Sequence, residues 1–410
     1  MARSVQTCQI CNDEKLESIL FLGFLPAVNE MYKTDETPSE QKMYPAELLY
    51  CKKCHLVQLG SVVDAKVLFP KEYPYTSSTT KILRENFGDL YREASSLFSL
   101  KADDLVVDIG SNDGNLLSNF KDHTRVLGVT PEDIGKIAIE RGIPTLLQYF
   151  TPNTVLQIKK ELGLAKIVTA TNVFAHIDNV HTVVENICSL LPKDGVFISE
   201  SHYFPELVRT LQYDTVYHEH LRYYSVLSLQ ALFQKHDLEI FHVKKIPTHG
   251  GSIRVYAARP GTYAVQKSVG VILKEEANLF KDSQKSFQDF RDRISQSKLD
   301  LYQLLHGIKQ KGEKIYGIGA PSRSSTLVSY LGLDQNILSA IVEIKGSHKI
   351  GKNLPGTHIP ILEESKLYED QPAYAFLLSW HIADELAPKI KQNGYKGKFI
   401  VPLPTPRVIA

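Results

Sequence analysis

Four short apolar runs between residues 101 and 260 constrain the fold of this chain more than any other feature. The runs DLVVDIG, RVLGVT, AKIVTATNV and GVFISES are rich in β-branched residues and end near Gly, Thr or Asn. Runs that are apolar throughout predict strands buried on both faces of a parallel sheet. The intervening segment EDIGKIAIERG predicts a crossover helix that ends at Gly142. The pattern therefore predicts a doubly wound α/β fold.

The chain of 410 residues is too long for one ordinary core, so several domains are expected. Residues 1–70 are turn-rich and hold four cysteines, which predicts a small metal-binding module. Residues 71–265 hold the α/β pattern. Residues 266–410 begin with a proline-free stretch of helical periodicity and continue through the strand-like runs EKIYGIGA, LSAIVEI, AYAFLLSW and GKFIVPLP. We expect this last part to be a helical linker and a second, smaller α/β domain.

Charge and hydropathy exclude several classes of protein. The net charge of +1 gives no expectation of binding to nucleic acid or to an anionic membrane. No apolar run approaches the roughly 18–20 residues that span a bilayer. The first residues, MARSVQTCQICNDEK, contain no apolar segment of a secretory signal. A cytoplasmic location is therefore expected.

The cysteines form two matched C-x-x-C pairs, Cys8/Cys11 and Cys51/Cys54. Four thiolates close a tetrahedral Zn²⁺ site and leave no open coordination position, so a structural zinc ion is predicted. A thioredoxin-type redox pair is the alternative, but neither pair clearly opens a helix. The fifth cysteine, Cys188, lies in an apolar helix-like stretch and is expected in the core.

The segment VVDIGSNDGNLL places an acidic strand end before a glycine-rich turn and a helix. Glycine lets a ligand approach the backbone, and a helix N-terminus offers free N–H groups. The spacing departs from the G-x-G-x-x-G dinucleotide fingerprint and suits S-adenosylmethionine better. A tight structural turn is the alternative. A second segment, TNVFAHIDN, follows a strand that ends at Asn172. The expected cofactor contacts are Asp108, Gly110, Ser111, Asn112, Gly114 and Asn172.

The segment YDTVYHEHLRYYS follows neither strand nor helix periodicity. It places Tyr217, His218, Glu219 and His220 side by side. A polar surface loop is the ordinary interpretation of such a segment. The density of titratable groups favours a catalytic loop instead.

Together these motifs resemble the sugar C-methyltransferase family, over nearly the whole chain. The cysteine pairs match its zinc module, DIGSNDG its cofactor loop, and YHEH and HGGSIRVY its catalytic region. GIGAPSRSSTL and LPGTHIPI match its C-terminal domain. The resemblance implies a class I methyltransferase Rossmann-like core, flanked by the zinc module and a Rossmann-like C-terminal domain. It implies methyl transfer from S-adenosylmethionine to the carbon beside the ketone, C3, of a nucleotide-linked 4-keto-deoxysugar.

One position departs from the family pattern. The family has an acidic residue after the second strand, where it binds the cofactor ribose. This chain has Thr130 there, followed by Glu132. The pair can restore the ribose contact through a hydroxyl or a carboxylate, or the contact is lost.

Carbon methylation needs a base, a hydrogen-bond donor for the enolate oxygen and an aligned methyl group. His220 is the predicted base, oriented by Glu219 or a neighbour, and contact with a substrate hydroxyl is the alternative role for Glu219. Tyr217 and Tyr75 are the candidate donors, with Tyr73 as an alternative to Tyr75. The resemblance places His176 at the same cleft, against the alternative of a helix-surface histidine.

The expected substrate contacts are Arg222, His249, Arg254 and Arg323, and a core-edge ion pair is the alternative for Arg254. Two other functions are consistent with part of the sequence. One is an O- or N-methyltransferase, which needs no enolate donor. The other is a non-catalytic scaffold that binds zinc and a nucleotide; the intact YHEH segment argues against it.

Overall fold

The computed structural model describes residues 2–69, 78 and 80–410. Within them the strands are β1 (Arg3–Ser4), β2 (Leu16–Pro26), β3 (Met43–Cys51), β4 (Val57–Leu59), β5 (Ser61–Val62), β6 (Leu105–Ile109), β7 (Arg125–Val129), β8 (Thr145–Leu146), β9 (Ile167–Thr171), β10 (Val196–His202), β11 (Arg222–Tyr223), β12 (Glu239–Ile246), β13 (Ser252–Ala258), β14 (Ile315–Ile318), β15 (Ala340–Glu343), β16 (Ile361–Glu363), β17 (Tyr374–Leu377), β18 (Lys398–Val401) and β19 (Arg407–Ile409).

The helices are α1 (Ala65–Leu68), α2 (Lys81–Leu97), α3 (Gly135–Glu140), α4 (Pro152–Glu161), α5 (Val180–Leu190), α6 (Phe204–Thr210), α7 (Val226–Gln234), α8 (Lys267–Lys281), α9 (Ser283–Lys309), α10 (Ser322–Leu331), α11 (Ser365–Asp370) and α12 (Ala383–Gln392). Over the described residues, none of these helices combines the length and the apolar character that a membrane span requires.

The central sheet has seven strands in the order β12-β13-β10-β9-β6-β7-β8. The pairs from β10 through β8 are parallel, and β13 runs antiparallel to both of its neighbours. The four strands predicted from apolar runs are confirmed as β6, β7, β9 and β10. Their central residues are buried, as expected for strands covered by helices on both faces.

The C-terminal sheet has the order β16-β15-β14-β17-β18-β19. Its first five strands are parallel, and β19 pairs antiparallel with β18. The helical periodicity predicted for this stretch is confirmed by α8 and α9, which are separated at Asp282. Phe287, Phe290 and Ile294 on α9 are buried in a core that it shares with the C-terminal sheet.

The N-terminal sheet has the order β11-β4-β3-β2. Its two long strands, β2 and β3, pair as an antiparallel hairpin. The sequence analysis described residues 1–70 only as turn-rich and did not predict this hairpin. The edge strand of this sheet, β11, comes from the central part of the chain, with Arg222 opposite Gln58 and Tyr223 opposite Val57. The division of the chain into domains at residues 70 and 265 stays a prediction. Strand β11 belongs to residues 71–265 but completes the sheet of residues 1–70.

Candidate active site

A cavity of about 550 Å³ opens at the carboxyl end of β6. The sheet continues from β6 to β7 on one side and to β9 on the other, so β6 is the topological switch point where α/β sheets bind ligands. Segments after β6, β7 and β9 line the cavity, and so do residues 62–65 and 68–69 of the N-terminal part and His218, Glu219 and Leu221. The described lining includes the predicted cofactor contacts Asp108, Gly110, Ser111, Asn112, Thr130 and Asn172, and the predicted catalytic residues His176 and Glu219.

Asp108 ends the apolar part of β6 and is 2% exposed. The Thr169 hydroxyl donates a hydrogen bond of 2.6 Å to its carboxylate. Burial raises the pKa of Asp108 to about 7, and the nearby Glu200 carboxylate raises it further against the lowering effect of Thr169. A buried carboxyl with this pKa is well suited to a cationic ligand, which stabilises the ionised form.

The glycines of the turn after β6 are required by protein packing. Gly110 has φ +72, and a Cβ there would lie 2.8 Å from Val173 Cγ2. Gly114 has φ +76, and its Cβ would lie 2.6 Å from Ile143 Cδ1. Gly114 is absent from the described lining of the cavity, so its place in the motif is explained by the fold rather than by a ligand contact.

Four buried side-chain atoms of lining residues have no hydrogen-bond partner in the described part of the chain: Ser111 Oγ, Asn172 Oδ1, His176 Nδ1 and His218 Nδ1. Asn172 also has a positive φ of 57°, which directs the chain sharply after β9. Unpaired buried polar atoms are costly unless a ligand or water satisfies them. They fit a cofactor with several hydrogen-bonding groups.

Thr130 hydrogen-bonds through its hydroxyl to the Glu132 carboxylate, and both residues line the cavity. Position 130 lacks the acidic residue of the family pattern, but Glu132 supplies a carboxylate two residues later. The Thr130 hydroxyl holds the Glu132 carboxylate in place.

His220 is 4% exposed and lies beside the cavity. Its Nδ1 is 2.8 Å from the Thr215 carbonyl oxygen. A carbonyl only accepts, so Nδ1 carries the hydrogen and Nε2 keeps its lone pair. Burial lowers the pKa of His220 well below its usual value, and the Arg323 guanidinium acts in the same direction. The imidazole is neutral near pH 7 and holds a fixed tautomer.

Aromatic and imidazole rings surround His220. Ring centroids lie 4.2 Å away at Tyr217, 4.8 Å at His202 and 5.0 Å at His176. Burial lowers the pKa of His176 to about 4 and raises the pKa of Tyr217 well above 10. The histidines are therefore neutral, and Tyr217 keeps its proton as a hydrogen-bond donor.

The sequence analysis missed His202, which ends β10. Its ring lies between those of His220 and His249, with the His249 centroid at 5.4 Å. The sequence signal that could have identified His202 is its place as a polar residue at the carboxyl end of a buried strand, in the segment SESHYF. His249 has φ 55° and a buried Nε2 with no hydrogen-bond partner among the described residues.

The three arginines predicted to bind substrate are bonded to protein groups. Arg222 donates to the carbonyls of Ile177 and Asp178 at 2.6 and 2.5 Å. Arg323 forms a bidentate pair with Asp214, both bonds 2.9 Å long. None of the three arginines is among the described residues that line the cavity.

Arg254 is fully buried and pairs with Glu200 at 2.6 Å and with Glu93 at 2.6 Å. It also donates to the Asn86 side chain at 3.0 Å. Arg254 therefore forms the ion pair that the sequence analysis gave as the alternative to a substrate contact. These bonds join β13 and β10 to α2. Tyr75 and Tyr73 lie outside the described residues.

The four cysteines of the predicted zinc site come together, with all Sγ atoms within 4.8 Å of one another. Sγ of Cys8 is 3.4 Å from that of Cys54, and Sγ of Cys11 is 3.5 Å from that of Cys51. Tetrahedral zinc with bonds near 2.3 Å needs sulfur atoms roughly 3.8 Å apart. The donor set therefore fits Zn²⁺.

Comparisons with known proteins place this geometry in a family. The chain is 32% identical to the C-methyltransferase NovU of Streptomyces niveus over 416 aligned positions, which cover 100% of this chain and 98% of the relative. This chain belongs to the C-methyltransferase family. It is a methyltransferase that uses S-adenosylmethionine and carries a structural zinc site.

Three family models match successive parts of this C-methyltransferase. They are described as a zinc binding domain at residues 8–69, a methyltransferase domain at 81–243 and a C-methyltransferase C-terminal domain at 247–404. The core has the class I methyltransferase Rossmann-like fold, as predicted.

Two solved structures are similar to part of the chain. The N-methyltransferase NodS of Bradyrhizobium japonicum is 14% identical, with 44% of this chain and 98% of that chain covered at a TM-score of 0.35. The magnesium protoporphyrin IX methyltransferase of Synechocystis is 14% identical, with 43% and 79% covered at a TM-score of 0.33.

Proposed function

We propose that this C-methyltransferase methylates the carbon beside the ketone, C3, of a nucleotide-linked 4-keto-deoxysugar, through an enolate. The observation that carries the proposal is His220. Its Nδ1–H is committed to the Thr215 carbonyl, so a neutral, buried imidazole offers the lone pair of Nε2 beside the cavity. Removal of a proton alpha to a ketone requires a base of this kind.

S-adenosylmethionine supplies the electrophilic methyl group when it is bound. Asp108, Ser111, Asn172 and the pair Thr130–Glu132 are the residues proposed to hold it. Their carboxyl groups suit its positive charge, and the unpartnered Ser111 Oγ and Asn172 Oδ1 suit its polar groups. Gly110 and Asn112 complete this wall of the cavity.

The protein must also stabilise the enolate oxygen as negative charge develops there. Tyr217 is proposed as the donor, because its high pKa keeps the hydroxyl protonated and its ring contacts that of His220. Tyr75 is a second proposed donor. His176, which lines the cavity and contacts His220, is proposed to separate the cofactor from the sugar.

The His202 ring lies between those of His220 and His249, at 4.8 and 5.4 Å, and this side of His220 is proposed to face the sugar. His249 Nε2 is buried and unpartnered in the described part of the chain, which supports a polar contact to the sugar nucleotide. Arg323 is proposed to act there indirectly: its pair with Asp214 links α10 of the C-terminal domain to the segment that leads into the catalytic loop.

The test is a panel of nucleotide-linked sugars with isotopically labelled S-adenosylmethionine, read by mass spectrometry for the gain of one methyl group. A 4-keto-deoxysugar should gain a methyl, and NMR should locate it on C3. The matched 4-hydroxy sugar should not react. Methylation of the hydroxy sugar on oxygen would contradict the proposal, and so would an amino sugar methylated on nitrogen.

A further inference from the structure

The catalytic loop is attached to the N-terminal sheet at three successive places. The first is β11, which follows the YHEH segment directly and pairs with β4. Leu59 N, at the end of β4, also donates a hydrogen bond of 2.9 Å to the carbonyl of Leu221. The loop therefore leaves the active site as the edge strand of the sheet that carries Cys51.

The second attachment is His218, which is 1% exposed. Its Nε2 lies 3.2 Å from the Pro45 carbonyl on β3, so that nitrogen carries the hydrogen. Its ring packs against Tyr44 with centroids 5.5 Å apart. His218 therefore ties the catalytic loop to β3 through one ring nitrogen.

The third attachment is Asn29, which follows β2. Its amide Nδ2 donates one hydrogen bond of 2.6 Å to Glu219 Oε1 and another of 3.0 Å to the Leu68 carbonyl. Both Glu219 and Leu68 line the cavity. One amide group therefore joins the catalytic loop to the wall of the cavity that the N-terminal part supplies.

We propose that Asn29 is a positioning residue for catalysis: through it, the zinc-bearing N-terminal part sets the orientation of the Glu219 carboxylate in the active site. The proposal rests on the proposed function and on Glu219, which lines the cavity and is proposed to contact a substrate hydroxyl. An amide is suited to this place because a single nitrogen donates two hydrogen bonds. A carboxylate of the same shape would repel Glu219.

The contact is tested first without any substrate, by replacing the amide with a carboxyl in Asn29→Asp. Two carboxyls at hydrogen-bond distance share one proton, which raises the pKa of the pair above that of the unfolded chain. Stability from the shared proton is present at low pH and is lost as pH rises through the raised pKa. The melting temperature of Asn29→Asp should therefore fall with pH, relative to the parent, above about pH 5.

Two variants control this measurement. Ser39→Asp adds the same charge at an exposed position of the same segment, and its melting temperature should follow the parental pH dependence. Asn29→Asp combined with Glu219→Gln should lose the additional pH dependence. If Asn29→Asp alone follows the parental curve, the contact is refuted.

The catalytic role is tested with Asn29→Ala on the sugar nucleotide that the parent methylates. A hydrogen bond to a charged group typically corresponds to a change of about ten- to a hundredfold, so kcat should fall by about that factor. In a Glu219→Ala background the same substitution should cost much less, which separates this contact from the one to Leu68. Zinc content should equal that of the parent.

An unchanged kcat in Asn29→Ala, or an equal loss in both backgrounds, overturns the positioning role. The two proposals fail separately. If the parent methylates no keto sugar, the proposed function fails, while the pH dependence of stability still decides the contact between Asn29 and Glu219.

Discussion

Replacing His220 by Asn tests the proposed base directly. Asn can still donate a hydrogen bond toward the Thr215 carbonyl, but it has no basic nitrogen to replace Nε2. In the parent, the imidazole is neutral near pH 7, so essentially every molecule holds the base in its active form. The full contribution of a general base, about 10²–10⁴ in rate, should therefore be lost from kcat, or about 3–5 kcal/mol in the barrier.

The assay separates proton removal from methyl transfer. With S-adenosylhomocysteine in place of the methyl donor, the parent should exchange the alpha proton of the keto sugar with D₂O, and His220→Asn should not. Cofactor affinity should be nearly unchanged, because His220 is not among the described residues that line the cavity. The matched control is His123→Asn, which makes the same change at an exposed position that does not line the cavity and should retain exchange.

The result that refutes this reasoning is exchange at the parental rate in His220→Asn together with loss of methylation. The base would then be another group, and Tyr75 and His176 are the candidates. The lowered pKa adds a second check. Because His220 stays neutral below its usual range, kcat/KM should show no loss from this group as pH falls from about 8 to about 6.5.

The remaining predictions concern metal, cofactor and stability. Elemental analysis should find about one zinc per chain, and Cys51→Ser should lower both zinc content and melting temperature; a metal-free parent would contradict this. Because the pKa of Asp108 is raised to about 7 and the cofactor is cationic, cofactor affinity should increase as pH rises through about 7, and Asp108→Asn should bind weakly with a flat pH profile in calorimetry. The same shift means that stability contributed by protonated Asp108 is lost between about pH 4 and pH 7 in the cofactor-free protein. Arg254→Gln leaves the buried Glu200 carboxylate without its cation, so chemical denaturation should show that the free energy of unfolding falls by about 3–5 kcal/mol. An unchanged stability with a raised KM would instead indicate that Arg254 binds the substrate.

The sequence predicted the elements whose signal is local. Each strand of the parallel core is a short apolar run, and each zinc knuckle is a four-residue motif, so both are readable without knowledge of distant residues. The cofactor loop is readable for the same reason. Its glycines were expected to admit a ligand, whereas the structure explains Gly110 and Gly114 by contacts to Val173 and Ile143.

What could not be predicted depends on partners far away in the chain. Nothing near Arg254 in the sequence identifies Glu93 and Glu200 as its partners, and nothing near Asn29 points to Glu219, 190 positions away. His202 stands alone in its segment and becomes part of a cluster only when β10 ends beside the catalytic loop. Periodicity predicts which face of a helix or strand is buried, but it does not identify the residues that pack against that face.

The strand β11 has a consequence for how the chain folds. When residues 1–69 have left the ribosome, the edge of β4 has no partner from β11, because Arg222, the partner of Gln58, lies 164 residues further along the chain. Contacts of such separation form late, after the intervening loop has been closed. The zinc knuckles can therefore form early, but their sheet is completed only when the methyltransferase core has folded. A fragment truncated near residue 70 should expose β4 as an unpaired edge and aggregate.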